Sequence, residues 1–299
     1  DHRDLHSFPT RRSSDLSRPT YTETENDLTV KANKRTFIFS KKDGQLKGVS
    51  VDNRKINFAN GPRFIGARRA DRSLDQFYNH DDEKAKEKDR TYSEFPDAAV
   101  FTKLDVKEDG GDLVVTANYK LGNLDKAQWT INPSGELALD YTYNFSGVVD
   151  LMGIRFDYPE DQVISKRWLG AGPYRVWQNR IHGTQYDVWE NDYNDPIPGE
   201  TFTYPEFKGY FGDVSWMNIQ TKEGTISLTN ETPDAYIGVY QPRDGRDRLL
   251  YTLPESGISV LNVIPPVRNK VNSTDLCGPS SQPKWVNGPQ TGRVIFRFM

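Results

Sequence analysis

Alternation between apolar and polar residues, in short runs separated by turn residues, recurs along almost the whole chain. In the run LALDYTYNF, residues 137–145, the odd-numbered side chains are all apolar or aromatic, as on the buried face of a strand. Turn sequences such as Lys42-Asp43-Gly44, Asp52-Asn53-Arg54 and Asn132-Pro133-Ser134-Gly135 separate the runs. The pattern predicts on the order of sixteen strands and no helix of three turns or more.

This pattern predicts an all-β fold, a single large antiparallel β-sandwich that covers residues 27–299. Residues 17–26 are polar and are predicted to form a linker in front of it. The charge-rich segment 71–90, which includes His80, is predicted to be an exposed loop or a short helical excursion. No repeat of fixed period is visible, which argues against a propeller.

The first sixteen residues lack the apolar core of a signal peptide and show neither helical nor strand periodicity. Residues 6–16, HSFPTRRSSDL, are similar to the translation of a common DNA-sequencing adaptor. We therefore expect residues 1–16 to be a non-native leader in an open reading frame assembled from bacterial metagenomic DNA. The chain is then expected to be the C-terminal fragment of a longer protein. The signal peptide of a periplasmic or secreted parent would lie in the missing part.

Composition excludes several classes of function. The 39 basic and 42 acidic residues are interspersed and the net charge is −3, so the basic stripe of a nucleic-acid-binding protein is missing. No apolar run approaches the roughly 18 residues of a membrane span. Cys277 is the only cysteine and only four histidines are present, which argues against a disulfide and against cysteine or histidine-rich metal sites. No cofactor is predicted, because the glycines of 170–173 precede no helix and form no phosphate cradle.

The segment 168–212 concentrates aromatic side chains beside arginine and glutamate. Flat aromatic faces next to planar polar groups suit a sugar, because a pyranose offers apolar C–H faces and a rim of hydroxyl groups. Arg175 and Arg180 offer forked donors to hydroxyls or to a uronic carboxylate. The competing interpretation is that the aromatic residues belong to the sandwich core and that the arginines pair with Glu190 or Glu206. The candidate carbohydrate contacts are Tyr174, Arg175, Trp177, Arg180, Tyr186, Trp189, Glu190, Tyr204 and Glu206.

Two stretches, in this order, resemble one known module. Residues 37–58, FIFSKKDGQLKGVSVDNRKINF, have a strand–turn–strand pattern and are followed by GPRF at 61–64. Residues 152–180, MGIRFDYPEDQVISKRWLGAGPYRVWQNR, follow at the matching spacing. Together they resemble the C-terminal small-chain domain of glycoside hydrolase family 2 β-galactosidases, and the resemblance covers nearly all of 27–299.

This resemblance implies a galactose-mutarotase-like supersandwich. In that family the two catalytic glutamates lie on a separate (β/α)8 barrel upstream, and a barrel of about 250 residues does not fit into this chain. The resemblance therefore implies a sandwich that completes or supports the sugar pocket of a β-galactosidase-like hydrolase and is inactive alone. Its expected partners are a carbohydrate and the missing barrel and sandwich domains of the same polypeptide.

The sequence departs from the family pattern at two places. Val260 stands where the best-known relatives carry a sugar-stacking tryptophan. Residues 66–71, GARRAD, begin the segment that replaces a Trp-Arg-Ala-Pro motif. Both departures argue against transferring galactose specificity to this chain.

Other functions are left open by the residues. The aromatic segment fits an autonomous carbohydrate-binding module. The mutarotase-like fold implied by the resemblance suggests a sugar epimerase, in which His182 would be the acid and a carboxylate the base. Paired carboxylates would serve glycoside hydrolysis, although surface positions explain these acids equally well. The acids near the aromatic cluster are Asp187, Glu190, Asp192 and Glu206.

Overall fold

The computed structural model describes residues 16–69, 92–193, 209–239, 253–266 and 279–299. Almost all regular structure in these ranges is β-strand, arranged in two antiparallel sheets whose inner faces share one core. The all-β antiparallel sandwich predicted from the sequence is therefore confirmed. The predicted loop at 71–90, the leader up to residue 15 and Cys277 lie outside the described residues.

The first sheet has ten strands in the described part of the chain, numbered here in chain order. Its main path runs through β1 (Thr20–Glu23), β2 (Asp27–Ala32), β3 (Arg35–Ser40), β4 (Leu46–Val51), β6 (Ala59–Arg69), β12 (Leu151–Asp157), β18 (Ile258–Val263) and β17 (Tyr236–Gly238). Two short strands lie off this path, β5 (Arg54–Ile56) beside β4 and β7 (Tyr92–Glu94) beside β6. Strand β1 lies within the segment predicted to be a linker, and its pairing with β2 makes it the edge of the sheet.

The second sheet has nine strands in the described ranges, with the last strand of the chain near its centre. Their order is β14 (Gln185–Asp192), β13 (Val163–Gly172), β15 (Trp216–Thr221), β16 (Gly224–Asn230), β19 (Lys284–Phe298), β11 (Leu137–Val149), β10 (Leu124–Ile131), β9 (Asp112–Lys120) and β8 (Val100–Asp109). Two single-turn 3-10 helices, Glu160–Gln162 and Pro279–Ser281, are the helical elements of the described residues.

Apolar alternation sets the register of β11. Leu137, Leu139 and Tyr143 are fully buried and face the other sheet, whereas Asn144 and Ser146 are exposed on the opposite face. A shift of one residue would exchange these two sets, which would expose the aromatic side chains and bury the polar ones. Burial therefore specifies how β11 pairs with β10 and β19.

Turn residues predicted from the sequence have the expected geometry. At the β10–β11 turn, the Asn132 side-chain oxygen accepts hydrogen bonds from the backbone N–H groups of Ser134 (3.1 Å) and Glu136 (3.0 Å). Gly135 has φ +79°, which only glycine adopts without strain. At the β4–β5 turn, Asp52 and Asn53 both have positive φ, as the two central residues of a tight hairpin turn require.

Aromatic rings from both sheets fill the core. Phe58 stacks on Phe156 with ring centroids 4.7 Å apart, and its ring also lies 5.0 Å from that of Phe296. All three side chains are completely buried. Burial of each is worth about 1.5–3 kcal/mol relative to exposure, so this cluster is a major part of the attraction between the sheets.

Polar contacts join the two sheets at one end of the sandwich. Glu223, in the β15–β16 turn, accepts a hydrogen bond from the backbone N–H of Asn57 at 3.0 Å and one from the hydroxyl of Tyr158 at 3.1 Å. The side-chain amide of Asn57 donates to the same carboxylate. Burial raises the pKa of the Tyr158 hydroxyl well above its usual range, which keeps it protonated as a donor. These contacts border the cleft described next.

Candidate functional site

An open cleft of about 1230 Å³ lies on the outer face of the ten-stranded sheet. Strands β6 and β12 form its floor, because their side chains alternate between the core and this face. Phe64 and Ile154 are buried in the core between the sheets, whereas Arg63 and Arg155 line the cleft. Residues from neighbouring strands and loops complete the wall, including Lys47, Lys55, Glu94, Tyr158, Glu160, Tyr193 and Glu255.

Two arginines dominate the floor of the cleft. Arg63 and Arg155 are direct partners in the pairing of β6 with β12. Arg63 forms an ion pair with Asp157, and the side-chain amide of Asn60 donates to the other oxygen of the same carboxylate at 2.9 Å. The guanidinium of Arg155 lies 3.3 Å from the Glu94 carboxylate. On the floor of the cleft, each arginine is therefore paired with a carboxylate that neutralises its charge.

Asp97 is a further acid beside these arginines. Partial burial raises the pKa of its carboxyl above the usual range, although the residue as a whole is exposed. A hydrogen bond from the Ala99 backbone and the charges of Arg155 and Arg63 oppose this rise. Asp97 is thus the acid at this site that retains a proton more readily than an ordinary aspartate.

The side chains of the cleft have the donors and acceptors that could recognise hydroxyl groups. Guanidinium groups only donate hydrogen bonds and carboxylates only accept them, so alternating groups of both kinds match the donors and acceptors of vicinal hydroxyls. Ion-paired side chains also hold fixed orientations, which lowers the entropy lost on binding. Within the described residues, no group of three or more His, Cys, Asp or Glu is placed to hold a metal ion.

Beyond the cleft, the same sheet face is covered by a second apolar cluster. Ile65, Leu151 and Leu261 project from β6, β12 and β18 on this face, and Val176 and Trp177 pack on them. The ring of Trp177 makes an edge-to-face contact with Tyr210 at 5.5 Å. Trp177 is only 3% exposed, so its ring is used for packing and its face is not open to a ligand.

Arg175 is also buried, at 5% exposure, and its guanidinium lies 6.0 Å from the centre of the Phe211 ring. The burial of Trp177 fits the competing interpretation, in which the aromatic residues belong to the core. Val260 belongs to the core between the sheets at 1% exposure, so the position of the family's stacking tryptophan does not reach the surface here.

Other predicted sugar contacts lie on the surface around β14, the edge strand of the nine-stranded sheet. Tyr186 is 58% exposed, and its hydroxyl is 2.6 Å from that of Ser215. Trp189 is half-buried, and its indole N–H donates to the backbone oxygen of Gln185 at 3.1 Å. Tyr174, Arg180, His182 and Glu190 are exposed.

The described contact candidates therefore fall into a buried pair, Arg175 and Trp177, and a group that is half-buried or exposed. Tyr204 and Glu206 lie outside the described residues. His182 follows the short bridge between Trp177 and Arg180 and has no carboxylate partner in the described part of the chain.

The arginines of the cleft were not among the residues predicted to contact sugar, although both lie in the motifs that carried the family resemblance. Arg63 lies in GPRF and Arg155 in MGIRF. In each case the arginine directly precedes a buried phenylalanine, so it must face the opposite side of the strand. A charged residue within an otherwise apolar strand is the pattern that could have identified these positions.

Comparison with solved structures defines the class of fold. The galactose 1-epimerase from Lactobacillus acidophilus aligns with a TM-score of 0.50 and 11% identity, over 95% of this chain and 99% of that chain. A galactose mutarotase-like protein from Clostridium acetobutylicum aligns with a TM-score of 0.43 and 9% identity, over 95% and 99% of the two chains. The fold is a galactose mutarotase-like β-sandwich. A search of curated protein sequences found no match.

The sequence itself matches a family model. The model of the β-galactosidase small chain matches residues 31–267, more than half of the chain. The chain therefore belongs to the β-galactosidase small chain family. The described residues include no helix with the length and hydrophobicity needed to cross a membrane.

Proposed function

We propose that this chain is the sugar-binding β-sandwich of a β-galactosidase-like glycoside hydrolase. In this role it completes or supports a pocket whose catalytic glutamates lie on a separate barrel domain. The observation that carries the proposal is the cleft built on Arg63 and Arg155, in a chain of the β-galactosidase small chain family.

The contacts at the floor favour binding over catalysis. Hydrolysis of a glycosidic bond uses one carboxylic acid as a proton donor and a second carboxylate as nucleophile or base. Asp157 and Glu94 are engaged with Arg63 and Arg155, which orients them as acceptors for sugar hydroxyls. The chain alone should therefore bind sugar without cleaving it.

Binding can be measured by calorimetric titration of the purified full chain with galactose, lactose and an aryl β-galactoside. We expect weak saturable binding to at least one of them, and Arg155→Met should weaken it roughly tenfold, since a lost charged hydrogen bond is worth about 1.5–3 kcal/mol. Arg297→Met is the matched control, because Arg297 pairs with Glu136 at 2.6 Å on the other sheet. Absence of saturable binding, or equal affinity of Arg155→Met and the wild type, would refute the sugar-binding cleft.

The same protein separates the supporting role from two other roles. Release of the aryl group by the chain alone would show that the sandwich is itself a hydrolase. Catalysed mutarotation of α-galactose, followed by polarimetry, would instead favour an epimerase, the activity named for the structure from Lactobacillus acidophilus. In that case Asp97, an acid with a raised pKa beside Arg63 and Arg155, is the residue that should be replaced first.

A further inference from the structure

A second surface with the chemistry of a binding site lies on the opposite side of the sandwich. It is formed where β11 and β19 pair, on the outer face of the nine-stranded sheet. The cross-strand pairs are Asn144 with Pro289, Ser146 with Asn287, and Val148 with Trp285. We call these six residues the Trp285 strip.

Trp285 has an exposure unlike that of the other tryptophans. The remaining five tryptophan side chains are buried or half-buried, whereas that of Trp285 is 71% exposed. Burial of a large apolar side chain stabilises a protein, so an indole exposed on a regular strand is unfavourable for folding alone. Such a side chain indicates a binding surface more strongly than a small exposed apolar residue does. Its face is open to a ligand, in contrast to the ring of Trp177.

Polar groups of fixed orientation lie beside this ring. The hydroxyl of Ser146 donates to the side-chain oxygen of Asn287 at 2.7 Å. The side-chain amide of Asn144 donates to the Asp125 carboxylate, and that of Asn123 to the backbone oxygen of Asn144 at 2.8 Å. Asn287 and Trp285 project on the same face two residues apart, about 7 Å along the strand. The Asn287 amide N–H groups have no acceptor among the described residues, so they are available to a ligand.

We propose that the Trp285 strip binds an extended, uncharged oligosaccharide. One sugar ring stacks on the indole of Trp285, and the hydroxyls of the next ring bond to Asn287 and Ser146. All six residues of the strip are uncharged, which excludes the paired cations that a polyuronate or a nucleic acid would require. The proposal does not rest on the cleft, which lies on the outer face of the other sheet.

The geometry of β19 argues against a polypeptide strand as the occupant. Strand β16 pairs with β19 only at Val294–Phe298, so residues 284–292 have an edge without a described partner strand. Gly288 has φ +93° there, and Pro289 has no backbone N–H. A positive φ interrupts the regular ladder and proline removes a donor, and both features block strand addition at an edge.

The test is calorimetric titration of the full chain with neutral hexasaccharides, namely cellohexaose, xylohexaose, mannohexaose and neoagarohexaose. We expect saturable binding of at least one, about tenfold weaker binding for Trp285→Ala, and a smaller loss for Trp285→Phe, which keeps a stacking face. Tyr21→Ala is the matched control, because Tyr21 is an exposed aromatic residue (44%) on the edge strand of the other sheet. Binding should also quench or shift the tryptophan fluorescence of the wild type but not that of Trp285→Phe.

The proposal is overturned if no hexasaccharide binds at millimolar concentration or if Trp285→Ala binds as well as the wild type. A preference for an oligogalacturonate over every neutral hexasaccharide would also overturn it. Circular dichroism of each variant distinguishes a lost contact from a lost fold.

Discussion

Arg63 and Arg155 are direct cross-strand partners in the β6–β12 pair, and both side chains line the cleft. Like charges at opposed positions destabilise a sheet. Each arginine has its own carboxylate, Asp157 for Arg63 and Glu94 for Arg155. The four side chains therefore act as a unit, in which each carboxylate also shields one arginine from the other.

Removal of one shielding charge should destabilise the protein. Asp157→Asn leaves Arg63 beside Arg155 without its counter-ion, and we expect the free energy of unfolding to fall by about 1 kcal/mol, since Asp157 is half exposed. The loss should shrink at high salt, which screens the repulsion. Urea denaturation at two salt concentrations measures both effects. Asp109→Asn, which removes an exposed partner of Lys107, is the control and should cost less than about 0.5 kcal/mol. Equal losses in both variants would contradict the shielding role.

Buried tyrosines should make stability fall at high pH. Burial raises the pKa of Tyr141 from 10.0 to about 12, against a smaller opposing effect of the Thr232 hydroxyl. Between these values the phenol ionises in the unfolded chain but not in the folded one. This stabilising contribution is therefore complete below pH 10 and is lost as pH rises.

By pH 11 the loss due to Tyr141 should be about 1 kcal/mol. Urea denaturation of the wild type and Tyr141→Phe from pH 8 to pH 11 measures it. The variant should show a shallower decline, because it has one phenol fewer to ionise. Parallel pH profiles for the two proteins would be inconsistent with the raised pKa.

Two of the predicted sugar-contact residues should differ sharply in their effect on stability. Trp177→Ala removes a buried ring from the second apolar cluster, and we expect a loss of about 3–5 kcal/mol. Tyr186→Ala removes an exposed ring and should change the free energy of unfolding by less than about 0.5 kcal/mol. Thermal and urea unfolding followed by circular dichroism compare the two. A small effect of Trp177→Ala would show that the ring is not packed as described.

Gly172 should not tolerate a side chain. A β-carbon there would lie 2.4 Å from the ring of Trp189, which is held by its bond to the backbone of Gln185. Gly172→Ala should displace the indole and destabilise the β13–β14 pair, with a cost of about 1–3 kcal/mol. The measurement is urea unfolding together with the emission maximum of tryptophan fluorescence, which should shift to the red. Gly48→Ala is the control, since a β-carbon at Gly48 meets nothing within 4 Å.

The fold could be predicted because strands and turns leave patterns within short stretches of the sequence. In a run such as LALDYTYNF, the alternation of apolar and polar residues is enough to identify the buried face of the strand. Asn132 and Gly135 form their turn through contacts within a few residues of the chain. Strand β1 could not be recognised within the predicted linker 17–26, because Thr20–Glu23 has no apolar face and forms a strand through its pairing with β2.

The candidate sites were less predictable because they depend on pairing between distant strands. Arg63 and Arg155 meet only through the register of β6 with β12. Aromatic composition drew attention to 168–212, but it does not distinguish Trp177, which is packed, from Trp285, which is exposed. The exposure of each ring depends on which distant strands or segments cover it, and the residues next to each tryptophan in the sequence do not predict this.

The central position of β19 has a consequence for biosynthesis. This strand, the last in sequence order, joins a group of strands ending at β16 to another beginning at β11. On the ribosome, the two groups therefore cannot be united until residues as late as Phe298 have left the exit tunnel. Until then the two groups cannot form one continuous sheet, so the core between the two sheets is completed only after β19 has been synthesised.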